Sequence, residues 1–290
     1  ASGPTAPARP APLPALTGVR FLAAILVVLF HTALTLHPRF PRVPVVGDLV
    51  GGMAANGFIG VTLFFVLSGF ILAYVNFDSL RSWPGFYWAR FARVVPAYWW
   101  AWVVALPYFI QHQQTHRKIL IYGTSTSFIL VQSWLIRYAA VLNPPGWSLS
   151  DEATFYLLFP FLFVALRPRG TATLLVIGSI FWIVGLVTPL VYLATAPDGI
   201  GVRADVLSSS MWLGFVKFWP LVRFPEFAIG AVLGIYARRR PDSIAAMATP
   251  ALYLTLALTL GLVLSHRVPY VLLHTAGLAP LAGLLILSLS

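Results

Sequence analysis

Two residues foreign to lipid interrupt an apolar run long enough to cross a bilayer. In Leu16 to His37, LTGVRFLAAILVVLFHTALTLH, Arg20 lies near the start and His31 well inside. Eleven residues at about 1.5 Å each set the two roughly 16 Å apart along a helix axis. Eleven steps of about 100° come back to nearly the same face, so both point at the same neighbours. An ionisable residue inside a span is costly, faces protein or water, and is a candidate functional residue by default. An anchoring Arg and a His hydrogen-bonded within a bundle explain the same two residues equally well.

Glu152 adds a carboxylate. If the Arg-bearing leader is inside, His31 falls about 22 Å from the inner side, near the outer leaflet of a core about 30 Å thick. Glu152 is expected in the first turn of a fourth span, also on the outer side. A His and a Glu meeting there could form a base with an orienting or charge-balancing carboxylate. Capping is the simpler account, and the local pattern favours it. In Trp147-Ser148-Leu149-Ser150-Asp151-Glu152 a Ser would cap, and first-turn acids suit the helix dipole.

Arg90 and Arg93, in RFAR, share one face if the segment is helical. Guanidinium pairs bind phosphate oxygens bidentately, and Arg20 near the same side would add to a polyanion site. Anchoring by loop arginines needs no such partner and is the more frequent use. Glu226 in RFPEFAIGAVLG is expected to pair with Arg223, and Ser68 beside Gly69 reads as a packing residue. The sequence has neither a Gly-rich nucleotide loop nor metal-ligand spacing, so no metal is expected. With 0 Cys in the chain, a thiolate nucleophile is excluded.

The elements that must position these residues follow from composition. The chain is 59% hydrophobic and 9% charged, against about 25% charged in soluble domains. The fold class expected is an all-α polytopic transmembrane helical bundle with the lipid bilayer as a partner. The net charge of +11 sits in short loops between apolar runs, which the positive-inside rule explains without nucleic acid. Residues 1–15, Pro- and Ala-rich, are expected to form a disordered cytoplasmic leader, and the apolar run after them is too long for a signal peptide.

About eight spans are expected in a single membrane domain over residues 16–290. They begin near Leu16, Asn56, Val95, Trp147, Leu174, Phe218, Met247 and Tyr270. Arg81, Arg90, Arg93, Arg167, Arg169 and Arg238 to Arg240 are assigned to the cytoplasmic side, and His37 to Gly52 and Ala196 to Ser210 to outer loops. Ile119 to Asn143 is too polar for a clean span and reads as an interfacial or re-entrant outer helix. The chain stops inside an apolar run, so further C-terminal spans are expected to be missing.

Four stretches, taken together, resemble the integral-membrane acyltransferase-3 family, O-acetylases of surface polysaccharides and antibiotics. They are LTGVRFLAAILVVLFH, GFIGVTLFFVLSGFIL, FYWARFARVVPAY and GWSLSDEATFYLLFP, and RFPEFAIGAVLG resembles a fifth block. The match runs from about Leu16 to Tyr236 in the family's order. It implies transfer of an acyl group, usually acetyl, from cytoplasmic acyl-CoA to a hydroxyl at or beyond the outer face. By the same resemblance His31 is the essential His and Arg20 its motif partner. Arg90 and Arg93 are candidate CoA phosphate contacts, Glu152 is the motif acid, and Trp147, Ser148 and Asn143 shape the substrate corner. The family's last pair of spans, about ten in all, is not visible here.

The expected function is therefore an acyl-CoA-dependent O-acyltransferase, with acetyl-CoA as co-substrate. The acceptor would be a glycan, glycolipid or antibiotic hydroxyl. The enzyme would sit multi-pass in a bacterial inner membrane with its N-terminus cytoplasmic. A proton-coupled transporter using His31 and Glu152 as a relay is the alternative from another class, and an inactive scaffold a third. An acyltransferase needs Arg90 and Arg93, whereas a relay tolerates Ala at both.

Overall fold

A chain this apolar can satisfy its backbone in lipid only by hydrogen-bonding within helices or a closed barrel. The computed structural model describes residues 13–36, 56–78, 82–112, 116–264 and 267–290, and every regular element among them is helical. The N-terminal leader up to residue 12, the first outer loop, Arg81 and His266 lie outside the described residues.

We number the helices α1 (Pro14–Leu36), α2 (Ile59–Val75), α3 (Trp83–His112), α4 (Arg117–Phe128), α5 (Trp147–Leu166) and α6 (Thr171–Thr195). They continue as α7 (Met211–Phe218), α8 (Pro220–Arg239), α9 (Pro241–Leu264), α10 (Tyr270–His274) and α11 (Ala279–Ser288). Among the described residues, five stretches are long and apolar enough to cross a membrane: Pro14–Thr32, Pro144–Leu166, Thr171–Thr195, Met211–Arg239 and Pro241–Leu262. Ile59–Val75 and Ala276–Ser288 are apolar but shorter. α3 has the length, 30 residues, but its Arg, Trp, Tyr and Pro content keeps it out of that set. Among the described residues, five stretches rather than the expected eight meet both length and composition.

Three boundaries differ from expectation for local reasons. The RFAR motif lies within α3, which continues through Pro96 and Pro107, rather than in a loop. The sixth expected span, from Phe218, starts instead at Pro220, which opens α8 after the short α7 has ended at Phe218. The last divides after His274 at an extended Thr275. Within Ile119 to Asn143, α4 ends at Phe128. Leu130 then takes φ 59°, and short turns at Gln132–Trp134 and Ile136–Tyr138 carry the chain to α5.

The core is a phenylalanine cluster. Phe65, Phe155, Phe159, Phe163 and Phe227 are all buried, and Phe65 meets Phe155 edge to face at 5.0 Å. Along one side α2 and α8 approach at backbone distance. A Cβ built on Gly69 would overlap the carbonyl oxygen of Phe227, and one on Gly230 would overlap that of Val66. Small residues at such crossings let dispersion contacts form where lipid removes the hydrophobic drive.

One end of the bundle is basic. Arg238 pairs with Asp78, Arg239 donates to the carbonyls of Arg167 and Arg169, and Arg167 donates to the Asp78 carbonyl at 3.2 Å. The C-terminal ends of α2, α5 and α8 are thereby tied into one girdle. At the other end Phe30 and Phe58 cluster with Leu273 and Leu278.

Candidate active site

Glycine and aromatic contacts set the relative heights of three helices. Gly57 faces Leu26 and Phe30, and Gly60 faces Ala23 and Val27, so α1 runs antiparallel to α2. That register brings Arg20 level with Phe64 and Phe65. α3 is antiparallel to α5: Phe86 stacks on Phe159 at 5.3 Å, and Trp83 meets Phe161 at 4.8 Å.

Between these helices lies a cavity of about 510 Å³. From α1 it takes Arg20. From α2 it takes an apolar wall that includes Phe64 and Phe65, together with Ser68. α3 supplies Arg90, Arg93, Ala97 and Tyr98; α5 and the turn before it supply Asn143, Gly146, Ser148, Glu152 and Tyr156. The expected residues Arg20, Arg90, Arg93, Glu152, Asn143 and Ser148 thus meet in one chamber. His31 and Trp147 are not among the described residues lining it.

The Glu152 carboxylate is held from its own helix. Tyr156 Oη donates to Glu152 Oε2 at 3.1 Å and stands 3.4 Å from Ser68 Oγ. Tyr156 was not singled out from sequence, although its position four residues after Glu152 puts it on the same helix face. α5 begins at Trp147 with Gly146 as its N-cap, and its first turn holds no acid. Glu152 therefore stands in the second turn, and capping does not account for it. Ser148 does not cap either; its Oγ donates back to the Pro145 carbonyl at 2.9 Å.

His31 sits eleven residues beyond Arg20 on α1, roughly 16 Å further along the axis. Its Nδ1 lies 2.8 Å from the Val27 carbonyl oxygen. A carbonyl only accepts, so Nδ1 carries the proton, and in the neutral ring the lone pair falls on Nε2. The ring meets Phe30 edge to face at 5.0 Å. On one helical face, then, stand a fixed positive charge inside the cavity and an imidazole tautomer with a basic Nε2.

The cavity rim is braced by residues that sequence reasoning left aside. Gln132, 1% exposed, donates to the Gly146 carbonyl at 2.8 Å and to Tyr98 Oη at 3.3 Å. Tyr98 in turn donates to the Ser127 carbonyl at 2.7 Å. The polar character of Ile119 to Asn143 is what could have pointed to this bracing. Among the described residues no group of His, Asp and Glu could hold a metal ion.

A family profile described as an acyltransferase domain matches residues 13–290. The chain is 30% identical over 239 residues to acyltransferase MdmB of Streptomyces mycarofaciens, covering 80% of this chain and 59% of that protein. It is 30% identical over 237 residues to the peptidoglycan O-acetyltransferase OatA of Listeria monocytogenes, covering 73% and 35% respectively. An O-acetyltransferase OatA of Staphylococcus aureus is 25% identical over 232 residues, 72% of this chain and 35% of that protein. The chain thus spans between a third and three fifths of the length of the curated relatives it matches. No solved structure matches it.

Proposed function

This chain belongs to the acyltransferase-3 family, and from that premise we propose that it is a membrane O-acyltransferase moving an acyl group, acetyl by preference, from acyl-CoA to a hydroxyl acceptor. The observation that carries the reading is the chamber in which Arg20, Arg90 and Arg93 meet one carboxylate, Glu152, within an apolar bundle. Three guanidinium groups against one carboxylate favour a polyanion such as the phosphates of CoA. By the positive-inside rule the girdle of Arg167, Arg169, Arg238 and Arg239 is the cytoplasmic end. CoA would enter from that end, with Arg90 and Arg93 on its phosphates and its pantetheine arm directed along the cavity.

In the reaction the acceptor hydroxyl oxygen attacks the thioester carbonyl carbon, the C–S bond breaks, and CoA leaves as its thiol. His31 Nε2 takes the hydroxyl proton and returns it to the leaving sulfur, the work of a general base and then a general acid. Arg20, in the cavity and well short of His31 along α1, adds its positive charge to that of Arg90 and Arg93 on the donor's phosphates. Glu152, held by Tyr156, balances the arginines and keeps the chamber from binding the phosphates too tightly to release them. No covalent enzyme intermediate is required.

The acceptor is proposed as a carbohydrate hydroxyl at the outer face. The Listeria relative is named for peptidoglycan, which supports a cell-wall glycan, with a glycolipid or an antibiotic sugar as the other candidates. The enzyme would lie in a bacterial cytoplasmic membrane. The test is thiol release from acetyl-CoA by purified protein in nanodiscs, with and without a panel of glycan acceptors. The chain has 0 Cys and contributes no thiol background. Acceptor-dependent release, lost in Arg90→Ala/Arg93→Ala, is the expected result. Absence of CoA binding by folded protein sinks the reading, and retained turnover in the double variant sinks the arginine assignment.

A further inference from the structure

Behind the cavity, outside the machinery just described, lies a second polar centre built on one side chain. Arg223 in α8 is fully buried and touches three other helices of the bundle besides a residue of its own. Its Nη2 is 3.0 Å from Glu226 Oε2 on its own helix and 3.4 Å from Thr62 Oγ1 on α2. Its Nη1 donates to the His274 carbonyl and lies 3.0 Å from His274 Nδ1 on α10. Its guanidinium carbon lies 5.3 Å from the Phe65 ring centroid and 5.6 Å from that of Trp147.

Trp147 is the first residue of α5, between two residues that line the cavity, Gly146 and Ser148. It is 5% exposed and enclosed on several sides. Phe65 meets it at 6.0 Å, Phe218 at 5.0 Å and the His274 ring, stacked, at 6.1 Å. A guanidinium over an aromatic face gains most when both are desolvated, as here. Because Arg223 only donates, His274 Nδ1 must accept, which fixes that ring in its neutral Nε2–H tautomer and in the plane that stacks on Trp147.

We propose that Arg223 is a positioning residue for the transfer reaction: from behind the cavity it locks Trp147, and through Trp147 the first turn of α5 whose Gly146, Ser148 and Leu149 form the rim on the acceptor side. The inference rests on the acyltransferase reading for its kinetic consequence, and on geometry alone for its structural one. Gln132 holds the Gly146 carbonyl from one side of the rim, and Arg223 holds Trp147 from the other. The donor arginines Arg90 and Arg93 stand on α3, whereas Arg223 and Trp147 make their contacts with α2, α7, α8 and α10, so disturbing this brace should move acceptor constants without moving donor constants. Lysine cannot replace Arg223, because a point charge cannot span Glu226, Thr62 and His274 while stacking on two rings.

The experiment uses the Cys-free chain in nanodiscs, with and without Arg223→Lys: a copy carrying Leu149→Cys with a nitroxide label reports on the rim, and unlabelled parent and variant with Leu149 intact give the kinetics. Folding is checked by thermal unfolding. The expected result is an immobilised label in the parent and a mobile component in Arg223→Lys. The acceptor kcat/KM should fall about tenfold to a hundredfold, the size of effect a small misplacement has on a transfer reaction. The donor KM should stay within about twofold, the signature of an interaction not made with the donor. Should Arg223→Lys fail to fold, Trp147→Leu is read in the same two ways. An unchanged label spectrum in either folded variant overturns the brace. Donor and acceptor constants that fall together overturn the positioning role. If the parent itself turns over no acyl-CoA, the functional reading fails while the label spectrum still decides the brace.

Discussion

Arg223 Nη2 and Glu226 Oε2 stand 3.0 Å apart with both side chains fully buried. Desolvating two charges costs several kcal/mol per ion, and only their mutual contact offsets it. Removing one partner therefore leaves an uncompensated charge inside the bundle. Glu226→Ala is expected to lower stability by about 3–5 kcal/mol, read as a shift in SDS- or heat-induced unfolding. The double variant Arg223→Met/Glu226→Leu should recover most of that loss. A single variant as stable as the parent would show that the pair is not charged in the folded protein.

Gly69 and Gly230 set the distance between α2 and α8. A methyl group at either position meets a backbone carbonyl of the facing helix, and a backbone cannot swing aside as a flexible side chain can. Gly230→Ala is expected to cost about 1–3 kcal/mol as overpacking, and Gly230→Val to prevent stable insertion. Gly170 has open space around its missing Cβ, so Gly170→Ala serves as the neutral control. Yields after membrane extraction and unfolding midpoints compare the three.

The loop after α6 is organised around the Asp198 carboxylate. Asp198 accepts from Tyr192 Oη, from the Ile200 amide at 3.0 Å and from Ser210 Oγ. Partial burial pushes the Asp198 carboxyl up, but the hydrogen bonds from Ser210, Ile200 and Tyr192 prevail and hold it below its ordinary 3.8. A carboxylate depressed in the folded state contributes stability above its unfolded value, and that contribution is lost as pH falls through the folded value. The loop is expected to loosen below about pH 4, visible as faster proteolysis between residues 196 and 210. Asp198→Asn should cleave quickly at pH 7 and lose the pH dependence. Equal cleavage of parent and variant across pH would contradict this.

How much of this was legible in the sequence varies by residue. Arg20 and His31 needed only helical periodicity, which relates residues eleven apart without tertiary information. Arg90 and Arg93 were found as a pair but assigned to a loop, because charge argued for an end and α3 instead continues through two prolines. Neighbouring helices can re-satisfy the backbone groups that such prolines free. Glu152 stands one turn later than its sequence suggests: a Ser followed by Asp151 and Glu152 imitates a cap with first-turn acids, whereas the turn Pro144–Gly146 starts the helix earlier. Arg223 was paired correctly with Glu226, three residues on. Its contacts with His274, 51 positions away, and with Thr62, 161 away, depend on how whole helices pack. No local pattern encodes them.

Tyr156 tests what Glu152 does. If Glu152 only neutralises the arginines, its charge matters and its hydrogen bond does not. Tyr156→Phe removes the donor at 3.1 Å and keeps the ring, so turnover should fall by less than about tenfold, short of the roughly 1.5–3 kcal/mol that a hydrogen bond to a charged group contributes where it matters. Glu152→Gln removes the charge in the same shape. It should tighten CoA binding while slowing release of product CoA, lowering kcat and KM together. His31→Ala should differ in kind, losing about 10²–10⁴-fold in kcat with CoA affinity unchanged, as expected when a general base is lost. The three variants are compared by steady-state kinetics and by direct titration of CoA. A Glu152→Gln protein with weaker CoA binding would mean that the carboxylate acts on the acceptor or on His31, and the division of labour along α1 would have to be redrawn.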